Sequence, residues 1–268
     1  MPKLSEKPEA AACGPGYPYF SKVIEKGLRI LGLFTPETPS LSLKDITLKT
    51  GINPASTFRF VETLIQLGYL KKDPRTKLVK LGPMALAFSH NVIASFDLLQ
   101  IVKPTIDEAF EKFNITIDSG VIEDGRPVIL YRREAKDTLV FKMPVAASGI
   151  MHCTALTKAI LAWLPEEAMA GALDGMTFAR RTPHTLTSRA ALLADLRRTR
   201  ERGYSINNEE FVVGLISLGA PLISLDGTVI GAVSFDVSTV QFTVEEAEKR
   251  FAPALLRLVE DIRPMLPR

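Results

Sequence analysis

Hydrophobic and polar positions change period along this chain, and the changes divide it. Between Leu41 and Tyr69 apolar residues recur at helical spacing in two short runs. Leu43, Ile46 and Leu48 predict the buried face of a helix over 42–50, with Ser42 as its N-cap. Gly51 stops that helix. Asn53 caps a second, and Pro54 suits its first position, where no N–H is needed. The second helix runs to about Leu67, with Phe60, Leu64 and Leu67 toward the core, and ends at Gly68. Two short helices and a glycine turn predict a helix-turn-helix. Upstream, residues 21–34 predict a helix with Val23, Leu28, Ile30, Leu31 and Phe34 on its apolar side. Downstream, two β-prone runs flank an Asp73-Pro74 turn and predict a hairpin, so residues 20–82 read as a winged helix.

The pattern after Gly82 is different. A mostly apolar helical stretch runs from Met84 to about Leu99. A linker helix of this kind needs a protein surface to cover it. Pro104 is expected to break it before a second helix, Thr105 to Phe113. Strands are predicted over 115–123 and 127–133 about Asp124-Gly125, over 139–145, and over 215–223 and 229–238 about Asp226-Gly227. Helices are predicted over 152–164, 165–173 and 188–202. A last one, to about Ile262, opens with the capping box Thr243–Glu246. Hairpins carrying helices predict an antiparallel-sheet α+β domain of a ligand-binding type. The expected divisions are a flexible tail over 1–19, the winged helix over 20–82, the linker helix over 83–103 and the effector-binding domain over 104–268.

Charge sharpens the first domain. Residues 20–82 hold 11 Lys and Arg against 5 Asp and Glu, 11 − 5 = +6, while the whole chain is 33 − 30 = +3. The first 19 residues balance, so residues 83–268 carry +3 − 6 = −3. A basic module on an acidic protein is the footprint of nucleic-acid binding. The start of the second helix would enter the major groove, where Arg59 can grip a guanine and Ser56 and Thr57 can reach bases or phosphates. Lys71, Arg75 and Lys77 would sit on the phosphate backbone. The candidate DNA-contacting set is Ser42, Asn53, Ala55, Ser56, Thr57, Arg59, Lys71, Arg75 and Lys77.

Two cysteines, Cys13 and Cys153, without paired spacing fit a reducing cytoplasm. No apolar run reaches the roughly 18 residues of a membrane span. The first residues have no apolar core for a signal peptide.

The ordered set of SKVIEKGLRILGLF, LSLKDITLKTGI, ASTFR, LGYL, HCTALTKAILAWLP, TPHTLTS, RGYSINNEEFVVGLISLGAP and DGTVIGAVSFDVS resembles the IclR-type transcriptional regulators over nearly the whole chain from residue 20. The resemblance implies a winged-helix DNA-binding domain, a linker helix and a GAF-like effector domain. It also implies a homodimer joined through the DNA-binding domains, often a homotetramer. The partners implied are double-stranded operator DNA and a small organic effector, with no cofactor and no membrane. The family's recognition arginine falls on Arg59. Its two small hydroxyl positions fall on Ala55 and Ser56, so one hydroxyl is lost. The effector residues it implies are Ala155, Leu156, Asn207, Leu215, Ser217, Ser234 and Asp236, with apolar walls near Met143 and Met151. Three positions depart from the family: Thr157 replaces a glycine, Asn207 an acid, and Asp236 a hydroxyl. A plain carboxylate effector is favoured by Asn207 and opposed by Asp236, so the effector class stays open, as do repression against activation and dimer against tetramer.

Competing readings attach to a few residues. Cys153 beside His152 invites nucleophilic catalysis, but no base and orienting group share a recognisable motif with it. His152, Cys153, Glu209 or Glu210 and Asp236 could make a metal site in a metal-responsive regulator, though without ligand spacing. A helix start lining a pocket is the simpler reading, with no catalytic and no metal residue assigned. His90 and His184 read as surface positions and Trp163 as core. The remaining alternative is a small-molecule-binding or hydrolytic domain whose N-terminal module serves only assembly.

Overall fold

The computed structural model describes residues 19–35, 38–94, 97–136 and 149–267. Met143, the strand predicted over 139–145 and the tail over 1–18 lie outside the described residues. The chain divides into two compact units, one up to Val92 and one from Ile93 onward.

The first unit is built from α1 (Lys22–Leu31), α2 (Leu43–Thr50), α3 (Pro54–Gln66), β1 (Leu70–Lys72) and β2 (Val79–Leu81). Ser42 and Asp45 cap α2 reciprocally. The Asp45 N–H donates to Ser42 Oγ at 3.2 Å and the Ser42 N–H to Asp45 Oδ2 at 3.1 Å. Gly51 turns the chain at φ 68°, and Asn53 caps α3 by accepting the Ser56 N–H at 2.9 Å. β1 and β2 pair antiparallel, and Leu41 bridges to Val79, closing the hairpin onto the start of α2. The core is Ile30, Phe34, Leu41, Ile46, Ile52, Val61, Leu70 and Val79.

Several expected core positions face outward. Leu48 is 71% exposed and Leu67 57%, and Val23 and Leu28 are also exposed. Helical periodicity alone gives the stripe but not which edge of it the neighbours cover. In α3 the fully buried line runs through Thr57 and Val61, while the expected Phe60 and Leu64 pack half-buried against the same core. α4 (Pro83–Ala94) follows the hairpin.

The second unit opens with α5 (Asp97–Phe113), which runs straight through Pro104, so the expected break is absent. Leu98, Val102 and Ile106 keep one buried stripe across the proline, and that burial offsets the lost hydrogen bond. The strands are β3 (Thr116–Glu123), β4 (Arg126–Arg133), β5 (Ser205–Asn208), β6 (Leu215–Ile223) and β7 (Val229–Ser238). They form one antiparallel sheet of order β4-β3-β7-β6-β5. Asp124 and Gly125 both take positive φ in the first hairpin, as a tight two-residue turn requires. The edge strand β5 was not predicted, because its inward residues are the polar Ser205 and Asn207.

The helices are α6 (Ala155–Trp163), α7 (Glu166–Asp174), α8 (Arg189–Arg202) and α9 (Val244–Ile262), the last opened by the expected Thr243–Glu246 box. α6 begins three residues later than predicted, where Thr154 caps it. α5 and α9 seal the apolar sheet face, which carries Ile117, Val233, Phe235, Ile216 and Leu218. Each such side chain contributes about 1.5–3 kcal/mol on burial. The opposite face carries the alternate residues, Asp118, Ser234, Asp236, Ser217 and Gly219, and there α6 packs through Leu156, Ala159 and Ile160 against Ala232. No described helix is long and apolar enough to cross a membrane.

Candidate functional site

In the first unit, Asn53, Ala55 and Arg59 are exposed along the start of α3, and Ser56 is half-buried. Thr57 is not on this surface. It has 0% exposure and its hydroxyl donates to Ile52 O at 3.3 Å, so it caps the interior and cannot reach DNA. Ser42 is half-buried and its hydroxyl donates to Asp45 at 2.7 Å, which ties it to the cap.

The hairpin tip is shaped by Asp73, whose Oδ1 accepts the N–H groups of Arg75 at 2.9 Å and Thr76 at 2.8 Å. Those bonds hold its carboxyl below the usual carboxylate range. Lys71, Arg75 and Lys77 are exposed, and Lys77 takes φ 60° at the end of the turn. Among the described residues Arg59, Lys71, Arg75 and Lys77 meet no carboxylate, whereas Lys72 lies 3.8 Å from Glu62.

In the second unit, Ala155, Leu156, Asn207, Leu215, Ser217, Ser234 and Asp236 meet around one hollow, completed by Thr154 and Phe211. Its cavity volume is about 10 Å³, room for about one water. Gly219 lets the start of α6 lie on the sheet, since a Cβ there would stand 2.5 Å from Ala155 O. Ser205 Oγ donates to the same carbonyl at 2.5 Å. Ala155 and Leu156, the first residues of α6, line the hollow with Asn207, and their N–H groups precede the helix's own hydrogen bonds. Asn207 Oδ1 accepts the Glu210 N–H at 2.8 Å, which leaves its amide nitrogen as the donor. Met151 does not join this set. It is buried with Leu161, Leu173, Leu192 and Leu196 and borders a separate hollow with Gly149 and Gly171.

Two buried clusters around the hollow escaped the sequence reading. Lys158, one helical turn into α6, reaches Glu210 at 2.6 Å, Asp195 at 2.8 Å and Ile206 O at 2.5 Å. Burial opposes ionisation of Asp195, yet Lys158 and Arg198 hold its carboxyl below the usual range. At Glu210 burial wins and the carboxyl is pushed up. The second cluster is Asp118 on β3 with Asp236 on β7. Asp118 Oδ2 accepts from Arg132 at 2.7 Å, while its buried Oδ1 receives no donor. Asp118 stands opposite Ser234 and Ser217 opposite Asp236 on one sheet face, and burial raises both carboxyl groups, Asp118 the further because the Asp236 charge lies beside it. The partners are more than a hundred residues apart in sequence, and no local motif announces them.

Cys153 donates to Ile150 O at 3.4 Å, and burial pushes its thiol up to about 12, far from a thiolate nucleophile. His152 Nε2 lies 3.1 Å from Ala179 O, and burial lowers its imidazole. Glu210 is spent on Lys158, and Glu209 accepts the Gly214 N–H at 2.7 Å. Among the described residues no three His, Cys, Asp or Glu are placed to hold a metal ion. His90 and His184 are exposed, and Trp163 is half-buried against the Met151 cluster.

Residues 23–74 match the family description "IclR helix-turn-helix domain", and residues 90–263 match "Bacterial transcriptional regulator IclR C-terminal". The Escherichia coli (strain K12) HTH-type transcriptional regulator XynR is 29% identical over 225 residues, 84% of this chain and 88% of its own. A transcriptional-regulator structure from Rhodococcus sp. RHA1 superposes with a TM-score of 0.79 at 21% identity, over 91% of this chain and 98% of that one. An IclR homologue from Microbacterium hydrocarbonoxydans, complexed with 4-hydroxybenzoate, does so with 0.74 at 20% identity, over 90% and 99%. With a helix-turn-helix DNA-binding unit ahead of a C-terminal ligand-binding unit, the chain belongs to the IclR family of bacterial transcriptional regulators.

Proposed function

We propose that the chain acts as a homodimer. The dimer sets two α3 helices in successive major grooves, about 34 Å apart, and releases or tightens on the operator when a small molecule enters the hollow beside α6. Arg59 reads a base edge, with Ser56 and the exposed Asn53 and Ala55 against the groove. Lys71, Arg75 and Lys77 sit on phosphates. The observation that carries this reading is the set of exposed cations on α3 and the hairpin, Arg59, Lys71, Arg75 and Lys77 among them, which meet no carboxylate among the described residues.

The hollow supports the sensing half. Ala155, Leu156, Asn207, Leu215, Ser217, Ser234 and Asp236 wall a space too narrow for a molecule of several heavy atoms. Such a ligand enters only as the walls part, so occupancy is linked to the form of this unit. A coupling of about 1–3 kcal/mol alters operator affinity roughly 5- to 150-fold. The complex of an IclR homologue with 4-hydroxybenzoate supports a small organic molecule as the effector class.

The test is fluorescence anisotropy with DNA from upstream of the protein's own gene and its neighbours, at one salt concentration. Wild type binds selectively. Arg59→Ala loses about 1–3 kcal/mol of discrimination between operator and unrelated DNA. Equal, weak binding of all DNA by both proteins would sink the operator reading for these sites.

A further inference from the structure

We propose that the Asp118–Asp236 pair is the specificity determinant of the hollow beside α6: it selects an effector that presents a hydroxyl or ammonium donor to Asp236, and it rejects the counterpart lacking that donor. This rests on the reading of that hollow as the effector site.

Two acids this deeply enclosed, at 0% and 3% exposure, cannot both ionise side by side. The contacts place the proton. Asp118 Oδ2 accepts from Arg132, while Oδ1 is buried and receives no donor. Asp118 is therefore the acid, with Oδ1–H donating to Asp236. Burial and then the neighbouring Asp236 charge push Asp118 well above the usual carboxylate range, in agreement. Burial raises Asp236 as well, but Asp118 is pushed further, so Asp236 keeps the negative charge and Arg132 balances it.

A carboxylate offers about four acceptor positions. Ser217 stands opposite Asp236 across β6 and β7, Ser234 precedes it by two residues on the same face, and Asp118 stands opposite Ser234, so three neighbours crowd the carboxylate from the sheet. Asp236 also lines the hollow, so the remaining position is turned to whatever enters. A ligand atom that cannot donate would leave a buried carboxylate lone pair without its water or its partner. That loss is large at charged groups. The Asn207 amide and the opening N–H groups of α6 meet the other end of the ligand, which must accept. The effector class is thus a small molecule with an acceptor group, such as a carboxylate, and a hydroxyl or ammonium.

The test is titration calorimetry of the full chain with propanoate, 2-hydroxypropanoate, 3-hydroxypropanoate and alanine. The same series is run on Asp236→Ser and on Ser234→Phe, which fills the hollow. A donor-bearing compound should bind wild type at least about tenfold tighter than propanoate. Asp236→Ser should erase or reverse that ratio, and Ser234→Phe should abolish binding. Binding that Ser234→Phe removes but that shows no preference over propanoate overturns the donor rule and leaves the site standing. Absence of binding by every compound, or binding indifferent to a folded Ser234→Phe, overturns the site and the rule together. If either variant fails to fold, the wild-type ratio alone decides the rule.

Discussion

Lys158 is fully enclosed and meets two carboxylates, Asp195 on α8 and Glu210 just after β5, while its own helix borders the hollow lined by Ala155 and Asp236. Lys158→Met keeps the aliphatic stem but strands the buried Glu210 without a countercharge and leaves Asp195 only Arg198, 3.2 Å away. Stability should fall by about 3–5 kcal/mol in chemical denaturation. A loss below 1 kcal/mol would mean the acids re-protonate or hydrate at little cost. Asp107 on α5 makes a different kind of contribution. Burial works to raise its pKa, but donors from Lys103, Tyr131 and Arg133 outweigh it and hold the carboxyl at about 2. The unfolded value is near 3.9. The folded value is the lower one, so the stabilisation is present above pH 4 and drains away as pH falls toward 2. The thermal midpoint of Asp107→Asn should therefore lie below wild type at pH 6 and converge on it near pH 2. A constant gap would show that the charge is not the source.

At the scale of elements, the β1–β2 hairpin exposes Lys71, Arg75 and Lys77, each a candidate phosphate contact. Replacing all three by Ala should weaken binding to operator and unrelated DNA alike, and should reduce the slope of log K against log salt by about 2–3. A slope unchanged from wild type would remove the hairpin from the interface. The elements themselves were largely legible in the sequence where signals are local: Gly51 and Pro54 around the turn, Asp124-Gly125 and Asp226-Gly227 in the hairpins, and Thr243 with Glu246 at the last helix. What each element covers was not. Leu48 and Leu67 fit a helical stripe yet face outward, and Thr57 fits a polar face yet is buried. The α5 helix survives Pro104 because its buried stripe spans the proline, a fact of packing. Seven effector candidates followed from resemblance and share one hollow. Asp118 did not, because its link to Asp236 exists only once β3 pairs with β7.

For the whole molecule, the uneven charge and the uncovered apolar residues bear on assembly. Val23, Ile24 and Leu28 on α1 are each more than 60% exposed, and Met84, Leu86 and Phe88 on α4 are exposed too. Apolar positions clustered this way on small helices mark a contact surface, and a homodimer is the occupant the family resemblance implies. Ile24→Glu with Leu28→Glu should convert the dimer to monomer in analytical ultracentrifugation and should cost far more operator affinity than either half-site contact alone, since two linked α3 helices bind together. Retained dimers at micromolar protein would assign assembly to another surface.

Cys153 sits behind two walls of the hollow beside α6, packed with Phe211 and Leu215 and with no exposed surface. Its thiol, held at about 12, is chemically silent while that packing is intact. Alkylation of Cys153 in a Cys13→Ser background then becomes a clock: every modified molecule records one moment at which the pocket floor came apart, without a dye or a label having been introduced.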